Sequence, residues 1–404
     1  MMQLLGPRRG TGTPNLVAAQ GDLFIAPTFN PRSALLPSAG TKLTLVIGCS
    51  GQKRKKRTTA AELYTSSRFK RARAIAESLR AEYLIASAKH GILKPDQIIS
   101  PYDMNLSDLD GSERRDWGRK IAQQLSEVRG QLCILCTAEY ADPIVEAYEG
   151  VAKLVSPLSK IVPRHHAQWH EQALAFSRRV EAMRELYQAI DKRRRTGGMF
   201  TLSELGMKKL PVRGVYIFID KSERNFLGRR GRIVRIGTHA VSEGSKSTLR
   251  NRLRNHAGLR DGTGNHRGSI FRLHVGRAVL ERENASAALP SWGEGQDAPI
   301  HVRAHEVSME QLVSDYLKKL EVLVLDIDDT PSKHSLRAIV ERQLIALCSE
   351  SLIPIDRPSK AWLGLSSPMR LIAESGLWNL RDVGRAYDPQ GQGSVRDLIS
   401  LDLL

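Results

Sequence analysis

Two sets of residues in this chain have the types and spacing that chemistry requires. One begins between Gly214 and His256. It holds Tyr216 in Gly214-Val215-Tyr216-Ile217-Phe218, Arg235 and His239 in Arg235-Ile236-Gly237-Thr238-His239, and Arg252 and His256 in Leu249-Arg250-Asn251-Arg252-Leu253-Arg254-Asn255-His256. Glu341 follows much later, in Glu341-Arg342-Gln343-Leu344-Ile345. Phosphodiester hydrolysis needs an in-line nucleophile, a cation on the phosphoryl charge and a metal on the leaving oxygen. The second set is Cys49-Ser50-x-x-Lys53, Glu62-Leu63-Tyr64-x-Ser66, Ser87-x-Lys89-His90-Gly91 and Pro101-Tyr102-Asp103. Here Asp103 could activate a water and His90 could stabilise departing base charge, the two needs of glycosidic cleavage. Lys53 could instead act as an amine nucleophile, if burial or nearby cations lower its pKa. Tyr64 or Tyr102 would stack on a base drawn out of a duplex. Each residue also has a plain reading. Cys49 is a small buried side chain, Lys53 part of a solvated run, His90 the cap of a turn, Tyr216 a half-buried strand tyrosine and Glu341 a solvated helix acid.

The hydrophobic pattern gives the elements that must hold these residues. Strands are expected at 43–48, 83–86, 132–136 and about 151–155, alternating with helices at 66–79, 112–128, 141–148 and 167–190. That alternation argues a parallel α/β sheet. In such a sheet functional groups sit on loops after the carboxyl ends of strands, where Cys49, Ser50, Lys53, Ser87 and His90 fall. Ser66 opens the first helix, whose free N–H groups suit an anion. Residues 1–40 read as an irregular leader with a short strand at 23–25, residues 41–190 as the first domain and 191–212 as a linker. In the second domain, 213–404, a hairpin is expected over 214–239 and a helix over 249–256, capped by Ser247 or Thr248. A strand at 270–275, helices at 309–320 and 335–349 and a strand at 322–327 complete it. The acidic run Asp326, Asp328 and Asp329 reads as a loop cap before Pro331, with metal binding as the other use.

A chain of 404 residues suggests two domains. Its formal charge of +18 is clustered, unbroken from Lys53 to Arg57 and dense again at 192–195, 229–235 and 250–254. Such clusters most simply meet phosphates, and DNA is the expected partner. No run approaches the ~20 apolar residues of a membrane span, and no secretory signal is visible. Four cysteines give no disulfide framework, so a reducing cytoplasm is expected. Cys133 and Cys136 would fall on opposite faces of a buried strand, which argues against zinc. His165, His166 and His170 beside Trp169 are placed to close a pocket; His166 and His170 have metal-ligand spacing, but no third ligand can be named.

The strand pair, the L-x-x-R-L-x-x-H helix and the later Glu, in that order, resemble the GIY-YIG nucleases. The resemblance implies an α+β domain with Tyr216 as base or its organiser, Arg252 as cation, Glu341 as ligand of one Mg²⁺ or Mn²⁺, and His256 aiding proton transfer or orienting the tyrosine. Asn379, in Gly376-Leu377-Trp378-Asn379, matches a late polar residue of that family. One departure matters: Arg235 stands where the second motif has tyrosine. Arg235 would hold phosphate instead, with His239 or His266 supplying the lost proton-transfer group; a binding module without catalysis is the alternative. Residues 43–169 resemble the DUF6884 family and, more distantly, the C-S-x-x-K domain of archaeosine synthase and peroxide-stress proteins of the YaaA type. That resemblance implies a uracil-DNA-glycosylase-like α/β sandwich handling a nucleobase, with Cys49, Ser50, Tyr64, Ser66, Ser87 and Tyr102 as binding candidates. The expectation is a DNA-acting protein that excises a modified base with its first domain and cuts the strand with its second, in defence against phage DNA. A non-catalytic DNA-binding protein and a base-modifying transferase acting through Lys53 are the alternatives. Oligomeric state is not specified.

Overall fold

The apolar run beginning at Leu43 becomes the central strand of the first sheet. In the computed structural model, which describes residues 29–404, β1 (Leu43–Gly48), β2 (Glu82–Ser87), β3 (Gly91–Leu93), β4 (Gln131–Leu135) and β5 (Lys153–Val155) lie in the order β3-β2-β1-β4-β5. The β2–β1–β4–β5 pairings are parallel, as expected, whereas the edge strand β3 is antiparallel. It forms because Gly91, at φ +75°, turns the chain back on β2. Leu45 and Ile47 face α1 (Ser67–Leu79) and α4 (His166–Arg195). Val46 faces α2 (Gly111–Leu125) and α3 (Ala138–Ala147) on the other side. Cys133 and Cys136 fall in these two opposite cores, both buried and unpaired. β5 is shorter than expected, since Val151 is 76% exposed. The strand expected at 23–25 lies outside the described residues.

The stretch read as a linker is ordered. α4 continues through Arg195, its last-turn cations favoured by the helix dipole, and Gly197 at φ +73° ends it. Met199–Thr201 then forms β6, the first strand of the second sheet. α4 serves both halves. Arg179, 3% exposed, donates to the Leu347 carbonyl at 3.0 Å and the Ile353 carbonyl at 3.2 Å. The Tyr187 hydroxyl donates to Asp356 and accepts the Ile233 amide at 3.0 Å. One buried apolar cluster therefore joins Leu45 and Ile75 to Val180, Ile219 and Leu344. The end of the leader is also pinned: Leu35 is in that core, Arg32 donates to the Pro354 and Ile355 carbonyls, and Gln131 donates to the Ala34 carbonyl.

The second sheet is antiparallel, with β7 (Gly214–Arg224), β8 (Arg230–Gly237) and β9 (Glu321–Asp326) in the order β8-β7-β9-β6. Tyr216 and Phe218 face α5 (Leu249–Ala257), α6 (Ile270–Arg282) and α7 (Ile300–Lys318). Val215, Ile217 and Ile219 face α4 and α8 (Leu336–Ser349). The strand expected at 270–275 is instead α6. Its buried Phe271, Val275, Ala278 and Val279 follow helical spacing, and the Ser269 hydroxyl caps it by accepting the Arg272 amide. α7 begins well before residue 309, directly after Pro299. Among the described residues no helix is long and apolar enough to cross a membrane.

Candidate active site

A register shift in β8 decides which way its side chains point. Ile233 pairs with Ile219, but Arg235 pairs with Phe218 and Gly237 with Tyr216, so an irregularity lies between Ile233 and Arg235. Without it Arg235 would oppose Ile217 on the other face; with it Arg235 and Gly237 share the Tyr216 face. Gly237 is required there: a Cβ at that position would lie 2.3 Å from the Tyr216 hydroxyl oxygen.

The Tyr216 hydroxyl pairs with His256 Nε2 at 3.0 Å, and His256 Nδ1 pairs with Ser269 Oγ at 2.7 Å. Both rings are fully buried. Burial, with the cations Arg235, Arg252 and Arg272 nearby, pushes the His256 pKa well below its ordinary value, so the ring is neutral. The Arg235 guanidinium lies 4.7 Å from the Phe271 ring centroid, donates to the Trp378 carbonyl and reaches the Tyr216 hydroxyl. Nε of Arg235 and Nε of Arg252 are buried donors with no acceptor among the described residues.

Glu341 arrives from the other face of the sheet, around the end of β8. One carboxylate oxygen accepts the Thr238 amide at 3.2 Å. One turn earlier Arg337, fully buried, ties α8 to the same loop by donating to the His239 and Ala240 carbonyls and to Asp329. Burial pushes the Glu341 pKa up and Arg235 and Arg252 pull against it, while the Asp382 carboxylate adds to the rise. Among the described residues no group of three or more His, Cys, Asp or Glu forms a metal cage. A hard cation that keeps its waters and takes substrate oxygens needs only one or two carboxylates, so Glu341 alone meets that minimum, while Asp382 is paired with Arg385 at 2.8 Å.

The remaining candidates of this half lie in different surroundings. His239 is buried beside Arg337 and Arg252, its pKa pushed down to about 4 by burial and by these cations. His266 stacks on Trp292, and its ring nitrogens are taken by Glu310 and the Gly293 amide. Asn379 pairs its amide with both backbone groups of Ile236, extending the ladder on the outer edge of β8. Asp329 caps α8 through the Arg337 amide at 2.9 Å, while Asp328 is 70% exposed beside Arg213. Sequence reasoning missed Ser269, Thr238, Arg337 and Asp382. Ser269 had a readable signal, a serine before an apolar run, which the strand reading hid.

In the first half the candidates divide between two places. The Tyr102 hydroxyl bonds Ser87 at 2.8 Å and Tyr64 at 2.9 Å. Lys53 Nζ lies 4.4 Å from the Tyr102 ring centroid, and His90 meets that ring edge-on at 5.0 Å. Tyr64 is 2% exposed and offers no face to a base. Asp103 and His90 are exposed, and burial and Lys89 lower the His90 pKa. Cys49, Ser50 and Ser66 instead line a cavity of about 950 Å³ between the carboxyl ends of β1 and β4 and the first turns of α1, α3 and α4. This is where the strand order reverses, the usual ligand position of such a sheet. His166 and His170 line its far wall, whereas the sequence reading expected them to close the pocket of Tyr64 and Tyr102, neither of which lines this cavity.

Compared with known families, a model described as GIY-YIG domain matches residues 177–402, beginning inside α4, and a family of unknown function (DUF6884) matches residues 44–172. No curated protein and no solved structure matches the chain.

Proposed function

Because the chain belongs to the GIY-YIG family, we propose that it is an endonuclease acting on DNA, with Tyr216, His256, Arg235, Arg252 and Glu341 as its working group. With Nδ1–H donating to Ser269, His256 Nε2 accepts the Tyr216 proton, and the tyrosine oxygen takes a proton from the attacking water. The unpaired Nε–H groups of Arg235 and Arg252 donate to phosphoryl oxygens, so Arg235 serves as a charged donor where the family has tyrosine. Glu341 would hold Mg²⁺ or Mn²⁺, which when bound supplies positive charge to the leaving oxygen. The observation that carries this reading is the Tyr216–His256 pair with two unpaired guanidinium donors around it. Nicking of supercoiled DNA with Mg²⁺ or with EDTA tests it, comparing wild type, Glu341→Ala and Tyr216→Phe. Cleavage that persists in EDTA and in both variants, or DNA binding with no cleavage at all, would sink it; the second outcome supports the binding module.

For the first domain the reading extends to a uracil-DNA-glycosylase-like fold that recognises and excises a modified base. The mostly parallel sheet and the exposed Asp103 and His90 beside Tyr102 support it. Alkali-labile sites in base-modified duplex DNA should then persist in Glu341→Ala and vanish in Asp103→Ala. A transferase acting through Lys53 would add mass to the base instead. Excision followed by strand cleavage suits defence against phage DNA carrying modified bases.

A further inference from the structure

The cavity beside β1 contains polar groups that neither reading above uses. Residues of the first turns of two helices line it, Ser67 and Arg68 of α1 and Ala138 and Glu139 of α3, together with His166 and Ala167 of α4, where a short turn at Pro163–His165 already takes the His166 amide. A helix leaves its first amide N–H groups without an internal acceptor and carries partial positive charge at that end. Ser66 satisfies one of them, the Phe69 amide. Three cations, Arg68, Arg71 and Lys160, line the cavity against one carboxylate, Glu139. The second, independent observation is His170. It lines the cavity, is 1% exposed, and neither ring nitrogen has a hydrogen-bond partner among the described residues. A buried imidazole with both nitrogens unsatisfied is costly unless something in the cavity meets it.

We infer that this cavity binds a phosphate monoester of nucleotide size, the phosphate resting between the starts of α1 and α3 with Arg68 and His170 as its side-chain partners. An anion fits because the free helix amides and three of the four formal charges lining the cavity are positive. Nucleotide size follows from about 950 Å³ and from the apolar wall of Ile47, Leu106 and Ile161, which suits a sugar and base rather than a bare ion. The field of Arg68, His166 and Arg71, after burial, already holds the His170 pKa down to about 4. The imidazole is therefore neutral and can donate one hydrogen bond to a phosphate oxygen.

The test is calorimetry on the full chain in EDTA, which removes metal-mediated binding at Glu341, and Arg68→Glu separates the cavity from phosphate held by Arg235 and Arg252. The probes are inorganic phosphate, dAMP, deoxyadenosine, and one oligonucleotide with and without a 5′-phosphate. dAMP is expected to bind at least roughly tenfold tighter than deoxyadenosine, and Arg68→Glu to weaken it by at least about tenfold. Arg68 is exposed, so that variant keeps its fold. The ¹⁵N imidazole signals of His170 should move with dAMP and not with deoxyadenosine. Equal affinity for the 5′-phosphorylated oligonucleotide identifies a strand end as the source, and weaker affinity a free nucleotide; both support the site. Equal binding with and without phosphate, no binding of any probe, or indifference to Arg68→Glu would each overturn it.

Discussion

At the end of β8 the polar groups meet one another; in the cavity beside β1 they face inward without meeting. Tyr216, His256 and Ser269 form one hydrogen-bonded run and Arg235 donates to the Trp378 carbonyl beside it, with almost no exposed surface. The cavity presents helix starts, exposed Arg68 and Lys160, and one unpaired histidine. Burying guanidinium groups costs several kcal/mol each unless they are compensated. Arg235 is compensated by the Trp378 carbonyl and the Phe271 face, with Glu341 within electrostatic reach. A site built this way is preorganised for charge that develops during reaction. A site of backbone dipoles and surface cations holds charge that is already present. On the reading proposed above, the contrast is between a place for chemistry and a place for binding.

The hardest blow to that division is dealt at Glu341. Glu341→Ala should lower Mg²⁺-dependent nicking by about 1,000-fold or more, since a metal contributes several kcal/mol and each 1.36 kcal/mol is tenfold in rate. dAMP affinity of the cavity should stay unchanged. If both fell together, the two sites would not be separate devices. Arg235→Ala comes next, at about 100- to 1,000-fold in kcat, the usual loss for one preorganised donor. Arg235→Lys should recover little, because a point charge on a flexible stem cannot reproduce a guanidinium held at a fixed carbonyl. Full activity in Arg235→Ala would mean that the arginine only fills the space of the missing tyrosine.

These two residues show what a sequence can carry. Tyr216, Arg252, His256 and Glu341 were legible as candidates because their order and helical spacing survive without coordinates. Arg235 was legible as a residue, but its direction was not, since the register shift that turns it toward Tyr216 arises from pairing between strands. Ser269 was hidden by a wrong period: Ile270-Phe271-Arg272-Leu273-His274-Val275 suits a strand until the burial of Ala278 and Val279 is known. The parallel sheet of the first half was readable from alternation. Its cavity was only half readable, through Cys49, Ser50 and Ser66, because Arg68, Lys160 and His170 converge by topology. α4 escaped as a shared element for a similar reason, since a basic run ending in Gly-Gly looks the same in a linker and in a helix end.

His256→Gln sharpens the comparison at a smaller scale, about 100-fold in single-turnover rate, the low end of what a positioned base contributes. Ser269→Ala should lose less and flatten the pH profile, because it frees the tautomer without removing the ring. Below that lies a pH effect. Glu341 has its pKa raised by burial, and only its carboxylate form binds metal. Protons and Mg²⁺ therefore compete, and activity should rise with pH through that raised value. Increasing Mg²⁺ should move this acidic limb to lower pH, by about one unit per tenfold once the metal exceeds its dissociation constant. A limb that ignores Mg²⁺ would assign it to another group.

The smallest effect concerns the helix that joins the two places. Tyr187 on α4 donates to the buried Asp356 and accepts the Ile233 amide of β8. Asp356 has its pKa raised by burial and keeps a second donor, the Phe226 amide at 2.6 Å. Tyr187→Phe therefore removes one of two donors to the carboxylate and leaves the Ile233 amide unsatisfied, at a cost of about 1–3 kcal/mol. Because Tyr187 shares one buried cluster with Leu45 of the first sheet and Ile219 of the second, that loss should appear as a single transition moved to lower temperature. Calorimetry would show it. Two separated transitions, with only the one containing β8 displaced, would make the halves independent units, and the contrast between the two sites would then need no shared scaffold. A single displaced transition would mean that the sealed site and the open cavity are held in place by the same core.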